Sequence, residues 1–102
     1  MPADDSDATR RDEHHALEQA IYAYKTFIEE DEDLDRALQN ASRAIALTRR
    51  SVTEFTQLRA AIAAQLSKGR VPLTRIAAIL GVSKSRAGQI VEMGRRVLHL
   101  TR

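Results

Sequence analysis

At 102 residues the chain can bury one modest hydrophobic core but cannot build an elaborate active-site cleft. It has no cysteine, which excludes a disulfide framework and a thiolate zinc site, and no apolar run approaches the roughly 20 residues of a membrane span. The net charge of +2 hides a division: residues 1–48 carry twelve acidic and five basic side chains, residues 49–102 eleven basic and two acidic. The start MPADDSD has neither the basic opening nor the apolar centre of a signal peptide, so a cytoplasmic protein is expected.

Residues 1–11 are polar and charged with no apolar periodicity, and a disordered acidic tail is expected there. From about Asp12, Leu17, Ile21, Tyr24 and Ile28 recur at steps of four, three and four, which predicts a first helix over 12–29. The five consecutive carboxylates at 29–33 oppose a helix C-terminus and mark a break, with Asp31 or Asp33 placed to cap the next helix. Leu34, Leu38, Ala41, Ile45 and Thr48 then define a second helix whose phase continues through Val52 and Phe55. Ser51 followed by Glu54 has the form of a capping box, so a third helix is expected over 52–68, with a local kink at 49–51. That third helix puts Val52, Phe55, Leu58, Ile62 and Leu66 on one broad face; Gly69 ends it and Pro72 opens the next. The aromatics Tyr22, Tyr24, Phe27 and Phe55 are expected in the core.

Residues 73–92, LTRIAAILGVSKSRAGQIVE, have the spacing of two helices crossing through a tight turn. Ile76, Leu80, Val82, Ala87 and Ile90 are the apolar positions, Ala77 permits a close crossing, and Gly81 permits φ > 0 at the end of the first helix. Ser83 is placed to cap the second helix, and Gly94 either ends it or lets a longer helix pack closely. Val97, Leu98 and Leu100 require burial. The predicted fold is all-α, a bundle of about five helices ending in a helix-turn-helix. Its parts are a tail at 1–11, a helical dimerisation or support region at 12–50 and the motif region at 51–102.

The words IAAILGVSKSRAGQIV resemble the bacterial helix-turn-helix regulators, with the flavour of sigma-factor promoter-reading domains and resolvase-type DNA-binding domains. The resemblance covers a fifth to a third of the chain and implies a cytoplasmic, nucleoid-associated transcriptional regulator that lays the helix at about 84–93 in the major groove of double-stranded DNA. With Ala87, Ile90 and Val91 turned inward, Lys84, Ser85, Gly88, Gln89 and Glu92 become the base-contacting candidates. Gln89 suits N6 and N7 of adenine, and Gly88 suits a close backbone approach. Phosphate contacts are expected from Arg70, Thr74, Arg75, Ser83, Arg86 and Arg95, with Lys68 and Arg96 beside them. Because such proteins often read paired half-sites, a homodimer is expected through Leu17, Ile21, Tyr24, Ile28, Leu34, Leu38 and Ile45.

Neither His14 and His15 nor the carboxylate run calls for a metal, and the chain shows no nucleophile with a placed base and no phosphate-cradling loop. No catalysis, metal or cofactor is expected. The alternative is a helical protein-interaction module whose acidic N-terminal half binds a partner such as a sigma factor, polymerase subunit or toxin, the basic half being accessory.

Overall fold

The computed structural model describes the backbone of residues 2–100 and the side chains of residues 10–99. Four helices follow one another: α1 (Pro2–Glu29), α2 (Leu34–Lys68), α3 (Leu73–Leu80) and α4 (Lys84–Leu100), with no strand among the described residues. The chain divides into two compact units, Met1–Leu47 and Thr48–Arg102. The described residues form four helices rather than about five because α2 passes through 49–51 without a break. The capping box does not form: the Glu54 carboxylate pairs with Arg50 at 3.3 Å, and the Thr53 and Thr56 hydroxyls donate back to the carbonyls of Arg49 and Val52. A cap satisfies backbone groups that a continuous helix satisfies already, so with the apolar phase intact nothing favours the interruption.

In the first unit, α1 begins at Pro2, ten residues before the predicted start, so the stretch expected as a disordered tail is helical backbone. Proline suits a first helical turn. The carboxylate run is where the chain turns. Asp33 caps α2, its Oδ1 accepting the Arg36 N–H at 3.1 Å. Asp31 instead accepts the Asp33 N–H and both Nε and an Nη of Arg36, the last two at 2.7 and 2.8 Å. The Arg36 hydrogen bonds, then that backbone bond, lower the Asp31 pKa from 3.8 to about 2. Tyr24 and Phe27 stack at 6.0 Å between ring centroids, but Tyr22 and Phe27 are exposed, not in a core.

Along α2, Leu34, Leu38, Ala41, Ile45, Thr48, Val52, Phe55, Arg59, Ile62 and Leu66 recur at alternating steps of four and three, a heptad phase from one end of the helix to the other. Of these, Leu34, Leu38, Ile45, Val52, Phe55 and Ile62 are all exposed.

The second unit holds the buried core of the described residues: Ala60, Ala63 and Ala64 from α2, Ile76 and Ala77 from α3, and Ala87, Ile90 and Val91 from α4. Leu66, Val71, Leu73, Leu80, Val82 and Met93 pack around it. The buried face of α2 is thus its alanine face, while Val52, Leu58 and Ile62 of the predicted broad face, and Phe55, expected in the core, are exposed. The reason lies on α4. Gly94 is buried, and a Cβ built there would overlap the Ala60 carbonyl and come within 2.9 Å of Ala64 Cβ, so the two backbones approach too closely for larger side chains. Gly94 therefore permits a crossing and does not end the helix, which runs on to Leu100. Val97 and Leu98 are half-buried; the side chain of Leu100 lies outside the described residues.

Candidate functional site

Three local structures set the geometry of the second unit. At the end of α2, Arg70 adopts φ 68°, the Arg70 N–H bonds the Ser67 carbonyl and the Val71 N–H the Leu66 carbonyl. This Schellman pattern puts Arg70, not Gly69, in the left-handed position where glycine is the usual residue. Pro72 then precedes α3 in extended conformation, its carbonyl accepting the N–H groups of Arg75 and Ile76. At the end of α3 the pattern repeats with Gly81 at φ 69°, the Gly81 N–H bonding Ala78 and the Val82 N–H bonding Ala77. Ser83 follows as the cap of α4, its Oγ accepting the Arg86 N–H at 3.1 Å.

This short turn fixes α3 against α4 through Ile76, Ala77, Ala87 and Ile90. With Ala87, Ile90 and Val91 buried, Lys84, Ser85, Gln89 and Glu92 stand exposed on the other side of α4. Gly88 differs from them: it is half-buried, and a Cβ there would rest 3.7 Å from Leu73 Cδ2, an ordinary contact. Arg70, Thr74, Arg75, Ser83, Arg86, Arg95, Lys68 and Arg96 are all exposed in this basic half.

Two of these cations are tied to the face they flank. An Arg86 Nη donates to Gln89 Oε1 at 3.1 Å, which orients the amide. Arg95 pairs with Glu92 at 3.0 Å and reaches the Ser67 hydroxyl at 3.4 Å, so the one acidic side chain of the face carries a compensating charge. Of the residues assigned to a dimer, Leu17, Ile21, Leu34, Leu38 and Ile45 are exposed, and Tyr24 and Ile28 are half-buried.

A further surface lies between α2 and α3, where Phe55, Leu58, Ile62, Leu66, Ile79 and Leu80 line an open apolar groove of about 310 Å³ with Arg59 at its edge. The sequence pattern places Phe55, Leu58, Ile62 and Leu66 on one broad face of the helix and Phe55 in the core, and it does not single out Ile79. The signal that distinguishes them is the alanine triplet at 60, 63 and 64, which marks the packed side of the helix. No helix among the described residues is long and apolar enough to cross a membrane. Comparison with protein-family models, with curated proteins and with solved structures finds no match to the chain.

Proposed function

We propose that the protein is a small, sequence-specific reader of double-stranded DNA, a dimeric, nucleoid-associated transcriptional regulator in which α3 and α4 form a helix-turn-helix and α4 enters the major groove. The observation that carries this is the coincidence, in one 55-residue unit, of a capped α3–turn–α4 pair, a polar α4 face and the basic side chains around it. Gln89 and Ser85 supply hydrogen bonds to base edges, with Lys84 and Glu92 beside them. Arg70, Thr74, Arg75 and Arg86, near the N-termini of α3 and α4, supply phosphate contacts, and Arg95 lies farther along.

A mobility-shift assay over random duplexes at several salt concentrations tests this. Selection of a recurring sequence, with affinity falling steeply as salt rises, is the expected result. Absence of binding at low salt overturns it. The second reading, a protein-interaction module, is favoured by the apolar groove beside Phe55 and Ile79, which a DNA interface does not use.

A further inference from the structure

We infer that α2 pairs antiparallel with α2 of a second copy, and that Leu34 and Leu38 of each copy fill the α2–α3 groove of the other. This rests on the dimeric part of the reading above and is independent of DNA binding. The heptad phase of α2 spans more than four repeats, long enough for a coiled-coil seam, and its large apolar members are exposed except Leu66, which is half-buried. Half of the exposed ones, Val52, Phe55 and Ile62, lie outside the region assigned to the dimer from sequence, because the predicted break at 51 separated them.

Self-pairing is favoured by how the helix matches itself. When residue i of one copy faces residue 100 − i of the other, every seam position is matched. Leu38 meets Ile62, Ile45 meets Phe55, and the long charged side chain of Arg59 meets Ala41, the smallest member of the seam. Parallel pairing would instead set two Arg59 side chains against each other inside the seam, where like charges are costly. The positions flanking the seam carry two charges, Asp35 and Arg49; Arg49 lies at the rim near the two-fold axis, where it keeps its water. In the same register, Leu34 and Leu38, the two most exposed large apolar residues at 79% and 70%, fall opposite Leu66 and Ile62, which line the groove. Six exposed seam side chains and Leu58, at on the order of 100 Å² each, bring roughly 700 Å² per copy, close to the about 800 Å² typical of stable complexes.

The register also sets a distance. α4 crosses α2 at Ala60 and Ala64, so the crossing is centred about twelve residues from the two-fold axis at residue 50. At about 1.5 Å per residue the two crossings lie about 36 Å apart along the α2 axis.

The chain has no cysteine, so single thiols report the pairing directly. Chains carrying Leu38→Cys and Ile62→Cys are oxidised separately and mixed, alongside sedimentation equilibrium of the wild type at tens of micromolar. The inference requires a disulfide-linked dimer in the mixture at least tenfold above either chain alone. Cross-linking of each chain with itself indicates parallel pairing and overturns the register. A wild-type dimer that never cross-links 38 to 62 overturns the seam and leaves the dimer standing; a wild-type monomer overturns both, with DNA binding read separately by mobility shift. Phe55→Glu, at a position exposed in the monomer, should abolish dimerisation with helicity retained, and a dimer that survives it also overturns the seam.

Discussion

Gly94 of α4 lies against the carbonyl of Ala60 on α2 so closely that not even a methyl group fits between them. Ala60, fully buried, and Ala64 beside it line the other side of this crossing. Gly94→Ala therefore has to push α4 off α2, and a loss of about 3 kcal/mol or more is expected. Gly88→Ala is the control, since its Cβ would find ordinary contact with Leu73 and the helix gains by losing a glycine. It should stabilise by up to about 1 kcal/mol. Thermal melts of the two variants give opposite signs if this crossing holds the second unit together.

Arg70 occupies a left-handed position at φ 68° that disfavours a side chain by about 1–2 kcal/mol. Arg70→Gly should raise stability by about 1 kcal/mol, because glycine relieves the backbone and the exposed guanidinium makes no core contact. If the arginine is kept for a phosphate, the same variant binds every duplex more weakly while melting at a higher temperature. Denaturant titration and mobility shift on one preparation measure both effects.

Gln89→Ala should cost about 1–3 kcal/mol on the preferred duplex and little on a scrambled one, as loss of a base contact requires. Arg75→Ala should weaken both duplexes alike and reduce the salt slope by about 1 per binding unit. Arg86→Ala frees the Gln89 amide and should lower discrimination between the duplexes more than a phosphate contact alone explains. Equal loss on both duplexes for Gln89→Ala would show that α4 does not read bases through this face.

The turn between α1 and α2 should respond to acid. The Asp31 carboxyl is held at about 2 in the folded protein against an ordinary 3.8 by its hydrogen bonds from Arg36, so the native turn favours the charged form. Its contribution is complete above about pH 4 and is lost as pH falls through about 2. An NMR titration of the Asp31 carboxyl should show the lowered midpoint in the wild type and a return toward the ordinary value in Arg36→Ala.

Local chemistry was legible in the chain. The apolar spacing of Ile76, Leu80, Ala87 and Ile90, the left-handed Gly81 and the capping Ser83 each depend on neighbours within a few residues, and all take the expected positions. What depended on a distant partner was not. Ser51 and Glu54 spell a helix start, yet the helix continues, because a cap competes only with the backbone bonds already present. Phe55 and Ile62 are the bulky members of α2 and on hydrophobicity belong inside. Only the tertiary structure shows that Gly94 brings α4 so near Ala60 that the buried face has to be alanine, which leaves the larger side chains outside. Periodicity in one helix says which residues share a face; which face is covered is decided by the size of what crosses it.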